Sequence, residues 1–251
     1  MIPRNLIFFW DDLNNLPIAI VNAIEVSKKN NSNYHIIMAD DAYMYEFIQN
    51  NHSKMFLELY KLNQIAASRS DIARLMLLYE FGGFYVDASM QLQKNLDTIN
   101  NHDKDLVLIK KDDGGQYKNC PNSAHHINGL IGAKPKSKFI KSCIEQLLVN
   151  LILGKFNNTV IQATGPGVIR SVIAKQDNLS VKEYNISYLR GNLFLSKKVK
   201  GINSSWVCQQ SKGIIKPNLY KKGRSFNKVW NIGRLIIHFS IGFLLLKKKI
   251  N

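Results

Sequence analysis

Along the chain, short continuous apolar runs are separated by longer stretches with helical spacing. Leu6 to Trp10 is an unbroken apolar run ending on Asp11 and Asp12, the pattern of a central strand that opens into a loop. Pro17 to Lys29 has helical spacing, with Pro17 near the first turn and Ile18, Val21, Ile24 and Val26 on the side expected to be buried. Tyr34 to Met38 is the next strand and ends at Asp40 and Asp41. A strand, a helix and a strand with acids at the strand ends predict a parallel crossover. Residues 42–63 read as short helices.

The stretch SRSDIARLMLLYEFGGFYVDAS, Ser68 to Ser89, is the most informative. Asp71 and Arg74 are three apart and share a polar face of a helix, while Ile72, Leu75, Leu78 and Tyr79 supply its buried stripe. Gly82 and Gly83 stop that helix. Phe84 to Val86 read as a buried strand, and Asp87 falls at its carboxyl end, the edge where open α/β sheets bind ligands. Further on, Leu106 to Ile109 and Ile127 to Ala133 are strand-like and flank a polar, glycine-bearing loop from Lys110 to Ala124. Ser137 to Leu153 is an amphipathic helix closed by Gly154, and Gly165-Pro166-Gly167 fixes a turn at the start of another. Beyond about Asp177 the pattern becomes short strands and basic loops. The expected architecture is α/β, a single mixed, mainly parallel sheet flanked by helices. At 251 residues, one domain spanning 1–251 accounts for the length.

Charge divides that domain in two. Residues 1–125 hold 12 Lys and Arg against 15 Asp and Glu, whereas residues 126–251 hold 22 against 3, and no acid follows Glu183. A field this one-sided attracts polyanions: nucleic acid, anionic phospholipid, or a substrate carrying phosphates. There is no zinc-finger spacing, RNP motif or basic helix with interleaved aromatics, so nucleic acid is not the expected partner. The apolar run Leu235 to Leu246 falls short of the roughly 20 residues that span a bilayer. It reads either as a buried terminal element or as an interfacial segment with Lys247, Lys248 and Lys249 on lipid head groups. The start, MIPRNLIFFWDD, lacks the features of a secretory signal. Cys120, Cys143 and Cys208 form neither a metal pair nor a disulfide framework and read as reduced thiols of a cytosolic protein.

In order, IPRNLIFFW, NSNYHIIMADD, the SD-x-x-R and LxxxGGxYxD arrangement above, NGLIGAKP at 128–135, TGPG at 164–167 and IIHFS near the end resemble glycosyltransferase family 32. These are DXD sugar-binding transferases of the GT-A nucleotide-sugar-binding fold, similar in their core to the clostridial glucosylating toxins. The resemblance implies a retaining transfer of a hexose from a nucleotide-sugar donor, with a UDP-linked donor expected. The implied acceptor is an undecaprenyl-diphosphate-linked or lipopolysaccharide glycan of bacterial surface polysaccharide, met at the inner face of the cytoplasmic membrane. The protein would be cytoplasmic and peripherally membrane-associated, with residues 1–125 facing the nucleotide-sugar and 126–251 the acceptor and membrane. A non-catalytic scaffold of the same fold is the first alternative, and a basic nucleic-acid-binding protein the second.

By the same resemblance Asp87 is the first acid of the DXD motif, and a Mn2+ or Mg2+ ion bridges the diphosphate, since hard oxygen ligands suit both ions. Where the family has a second carboxylate this chain has Ser89. Three outcomes are open: weakened metal binding, stabilisation by Lys and Arg instead, or a degenerate enzyme. His238, in IIHFS, is the remaining candidate for the metal or diphosphate, or else a core residue. Asp71 and Arg74 resemble the pair that grips donor hydroxyls, the plain alternative being a surface ion pair. Trp10 resembles the aromatic that stacks on the base, or is core packing. Asn128 and Gly129 are candidates for donor or acceptor contacts. His125 and His126 are adjacent, a poor metal pair, and read as loop residues.

Overall fold

The computed structural model describes residues 1–100, 103–111, 126–154, 159–175, 179–196 and 214. Its strands and helices begin in the order β1 (Asn5–Phe9), α1 (Ile18–Asn30), β2 (His35–Ala39), α2 (Asp41–Asn51), α3 (Lys54–Lys61), α4 (Ala66–Phe81), β3 (Gly83–Val86) and β4 (Met90–Leu92). There follow β5 (Leu106–Lys110), β6 (His126–Ala133), α5 (Lys138–Leu153), α6 (Val160–Ala163), α7 (Pro166–Ile173), β7 (Val181–Asn185), α8 (Ile186–Leu189) and β8 (Phe194–Ser196). Six strands form one sheet in the order β2-β1-β3-β6-β5-β7. The pairs β1·β2, β1·β3 and β5·β7 are parallel, and β6 runs antiparallel to both its neighbours. This is the single mixed, mainly parallel sheet the sequence predicts. Strands β4 and β8 pair in a second, two-stranded sheet.

Side chains alternate across the central sheet, so each face builds its own core. Ile7, Phe9, Tyr85 and Ile131 lie on one side with α4, α5 and α7; Leu6, Phe8, Phe84, Val86 and Leu130 lie on the other with α1. Helix α4 is packed more deeply than a surface helix. Ile72, Ala73, Leu75, Met76, Leu77 and Leu78 are all buried, and so are Asp71 and Arg74. The face read from the sequence as polar is therefore an interior one. Burial of each large apolar side chain contributes roughly 1.5–3 kcal/mol, enough collectively to offset the cost of taking two charges out of water.

The helix ends where the chain has no room for side chains. Gly82 and Gly83 both have positive φ, 62° and 107°. A Cβ on Gly82 would sit 2.5 Å from Pro135 Cδ, and one on Gly83 would sit 2.5 Å from Asn5 Cβ. The Gly-Gly pair thus lets β3 enter the sheet hard against β1.

Two expectations need correction. In α1 the buried positions are Ile20, Ala23, Ile24 and Ser27, while Ile18 is 74% exposed. Ser27 is accepted into the interior because its hydroxyl donates to Ala23 O at 2.7 Å and accepts from the Leu92 amide at 2.8 Å, which turns the helix toward β4. His126 is the first residue of β6 and is buried, not a loop residue; its Nε2 lies 2.7 Å from Glu183 Oε1, and Glu183 also pairs with Lys110. His125 and most of the 110–124 loop lie outside the described residues, as do Cys120 and Cys208. Cys143 is buried within α5, and burial pushes its thiol pKa up. Among the described residues no helix is long and apolar enough to cross a membrane.

Candidate functional site

Because β1, β2 and β3 run parallel and β6 opposes them, Trp10, Asp40, Asp87 and Asn128 are all delivered to one edge of the sheet. Asp87 follows β3 directly. Its amide donates to Gly129 O at 2.7 Å, and Gly129 has no side chain to collide with it; a Cβ there would lie 2.7 Å from Asp87 Oδ2. With its side chain 38% exposed, Asp87 is the member of the site open to a ligand.

Arg74 stands behind it, 5% exposed. Its Nη2 donates to Asp87 Oδ1 at 3.0 Å and to Ser70 Oγ at 3.2 Å, and its Nη1 donates to Asn128 O at 2.6 Å. The guanidinium carbon lies 4.6 Å from the centre of the Tyr85 ring, whose hydroxyl is 2.9 Å from Ser70 Oγ. Burial works against the guanidinium charge, but Tyr85, Asp87 and Asp71 favour it, and the balance holds Arg74 above its ordinary pKa. Burial likewise raises the pKa of Tyr85. Arg74 Nε is buried with no hydrogen-bond partner among the described residues.

Asp71 lies deeper still. Its Oδ1 accepts from Asn128 Nδ2 at 2.8 Å and sits 3.3 Å from Arg74 Nη1, and its Oδ2 accepts from Thr164 Oγ1 at 2.9 Å. Burial pushes this carboxyl up to about 6, while Arg74, Thr164 and Asn128 favour its ionised form. A carboxylate has about four lone-pair positions, so three neighbours leave Asp71 little capacity for anything else.

Of the residues singled out from the sequence, Asp71, Arg74, Asp87, Asn128 and Gly129 form this one connected cluster. Trp10 lies at the same sheet edge on the neighbouring strand, half-buried against the core on the side away from α4. Ser89 is half-buried in the turn that joins β3 to β4. His238 lies outside the described residues. Ser70, Tyr85 and Thr164 were not anticipated. Ser70 and Tyr85 sit within the informative stretch, four residues before Arg74 and two before Asp87, on the faces those residues use. Thr164 is the first residue of the TGPG run, which contributed to the resemblance and to a turn but gave the threonine no role.

The donor set suits a divalent cation in a limited way. Asp87 Oδ2 and the Ser89 hydroxyl are hard oxygen donors, and among the described residues no three His, Cys, Asp or Glu are grouped to hold a metal ion. One carboxylate plus one hydroxyl is not a cage. Such a pair would suit only an ion of the Mg2+ or Mn2+ type whose remaining ligands came from elsewhere.

The segment that supplies Asp71, Arg74, Asp87 and Ser89 falls within the stretch that matches a family model. Residues 17–106 match the glycosyltransferase sugar-binding region containing the DXD motif. The matched stretch contains the acid at the end of β3 and the helix behind it, whereas Asn128 and Thr164 come from beyond it. An uncharacterized glycosyltransferase of Acanthamoeba polyphaga mimivirus is 28% identical over 130 residues, 51% of this chain and 47% of that protein. The chain therefore spans about half the length of this curated relative. Among solved structures, the PaToxG glycosyltransferase superposes with a TM-score of 0.49 at 18% identity, over 69% of each chain. The galactosyltransferase LgtC, determined in complex with donor and acceptor sugar analogues, gives 0.39 at 15% identity over 72% of this chain and 73% of that one.

Proposed function

We propose that this chain is a nucleotide-sugar-dependent glycosyltransferase whose donor binds at the carboxyl edge of β1 and β3. The observation that carries the reading is the Asp87 carboxylate, half open to solvent and held from behind by a buried Arg74 and Asp71, within the segment that matches a sugar-binding region. Departure of a nucleoside diphosphate leaves about three negative charges to be stabilised, the main electrostatic task of such a site. Asp87 and Ser89 would hold a Mg2+ or Mn2+ ion, which when bound supplies charge to the diphosphate. Arg74 fixes the direction of the Asp87 carboxylate, and the packing of α4 and β6 behind it excludes water from that side. Trp10 offers a flat face to the base.

The finer reading is a retaining hexosyl transfer from a UDP-linked donor to a lipid-linked oligosaccharide of surface polysaccharide. It is supported by the resemblance set out above. The strongly basic residues 126–251 support contact with a diphosphate lipid and an anionic membrane face, within one transferase domain. No Glu adjoins the DXD position as a nucleophile, so attack on the donor face of the departing diphosphate, with a phosphate oxygen taking the acceptor proton, is favoured. Ser89 supports the first alternative, a non-catalytic scaffold, because it removes a charge from the metal position.

A panel of nucleotide-sugars screened by thermal shift with Mn2+ present, followed by donor hydrolysis and transfer assays, tests the proposal. At least one nucleotide-sugar should stabilise the protein and be turned over. Stabilisation without turnover identifies the scaffold, and absence of both overturns the reading.

A further inference from the structure

We infer that Thr164 is a positioning residue of the donor site, holding Asp87 in register through Asp71, Asn128 and Arg74. The inference rests on the donor-site reading above and deepens it. Thr164 closes α6, where its amide donates to Val160 O at 3.0 Å. Its hydroxyl has one proton to give and two acceptors in reach, Asp71 Oδ2 at 2.9 Å and Val160 O at 3.4 Å. The shorter, charge-assisted bond takes the proton. From Asp71 Oδ1 two contacts lead on: Asn128 Nδ2 donates to it at 2.8 Å, and Arg74 Nη1 pairs with it at 3.3 Å. Arg74 is held in turn by the main-chain carbonyl of Asn128, which accepts from Nη1, and its Nη2 donates to Asp87.

The surrounding backbone makes Thr164 a rigid anchor. The Gly165 amide donates to Val160 O at 2.9 Å, and a Cβ on Gly165 would lie 3.1 Å from Ile161 Cα. A Cβ on Gly167 would lie 2.6 Å from Gln162 Oε1 and 2.7 Å from Ile161 O. The two glycines therefore press α7 against α6 and leave Thr164 at the junction, 2% exposed, 93 residues from its partner. Loss of the hydroxyl leaves Asp71 Oδ2 buried and unsatisfied, and the carboxylate must turn, or take up a proton, to relieve it. Either response withdraws the support of Asn128 and Arg74. Among the described residues the charged groups facing Asp71 are Arg74 on its own helix and Asp87 at the end of β3; β6 and the α6–α7 junction contribute the uncharged Asn128 and Thr164.

The test compares Thr164→Val, Thr164→Ser and Asp71→Asn in the full chain, with the nucleotide-sugar that the panel identifies. Thr164→Val should weaken donor affinity about 10-fold or more, the usual effect of removing a hydrogen bond to a charged group, and Thr164→Ser should restore it to within about threefold. Adding Thr164→Val to Asp71→Asn should produce no further loss. A merely structural threonine would instead lower the melting temperature with donor affinity of the folded fraction unchanged, and that result overturns the inference. Should the parent protein bind no nucleotide-sugar, the proposed function falls, but the Thr164 link is still decided by the carbon-13 resonance of the Asp71 carboxyl. Its titration midpoint should rise in Thr164→Val and not in Thr164→Ser; an unchanged midpoint in the valine variant refutes the link.

Discussion

Asp71 and His52 should impose opposite pH dependences on stability, and single substitutions should unmask each. Asp71 has an ordinary value of 3.8 and is pushed by burial to about 6 in the folded protein. Between those values the folded state holds the additional proton. Stability from this group is fully present below pH 3.8 and is lost as pH rises through about 6. His52 behaves in the reverse sense. Its Nδ1 is buried without a partner among the described residues, its ring is 5.7 Å from both Phe47 and Phe56, and burial lowers its value from 6.5 to about 4. Its contribution is present above pH 6.5 and is lost as pH falls through about 4. At roughly 1.4 kcal/mol per unit, each shift corresponds to about 3 kcal/mol. The two nearly cancel between pH 4 and 6.5 in the parent protein. Urea denaturation of Asp71→Asn across that range should show stability falling by about 3 kcal/mol toward pH 4 relative to the parent. His52→Leu should show it rising by a similar amount. Subtracting the parent curve removes Asp97 and Glu183, whose carboxyls are lowered by Arg4 in one case and by Lys110 and His126 in the other. Difference curves that are flat, or that share a sign, would refute the burial of these two groups as described.

Other outcomes follow from the cluster itself. Gly129→Ala places a methyl group 2.7 Å from Asp87 Oδ2 and should lower kcat/KM about 10-fold or more by displacing that carboxylate, with a small change in melting temperature. Arg74→Met leaves Asp71 and Asp87 without their shared cation and should destabilise the fold by about 3–5 kcal/mol, read by urea denaturation at pH 7. Ser89→Asp restores a second carboxylate beside Asp87 and should raise Mn2+ affinity in a calorimetric titration, and an unchanged affinity would argue against the metal position.

The strands and helices that carry the site were legible because their signals are local. A continuous run ending in an acid marks β1 and β3, and the i, i+3 spacing of Asp71 and Arg74 puts them on one face whatever that face meets. What they meet was not legible. That face is interior because β6 enters the sheet antiparallel beside β3, a pairing between residues 83–86 and 130–133 that no local pattern encodes. The same pairing draws Asn128 back onto Asp71 and Arg74. The Ser27 side of α1 was missed because a serine reads as exposed unless its two buried partners, Ala23 and Leu92, are known. Strands β4 and β8 have three residues each, too few to show a period. Thr164 carried a faint signal, a hydroxyl residue placed immediately before Gly-Pro-Gly, but its partner lies 93 residues away.

The central claim is that a nucleotide-sugar binds against Asp87 with Arg74 and Asp71 behind it. Isothermal titration of the parent protein and of Asp87→Asn with the same nucleotide-sugar and Mn2+ tests it most directly. The account predicts saturable binding by the parent and affinity at least about 10-fold weaker in the asparagine variant, whose fold retains the buried Arg74 and Asp71. Equal affinity in the two proteins would contradict it.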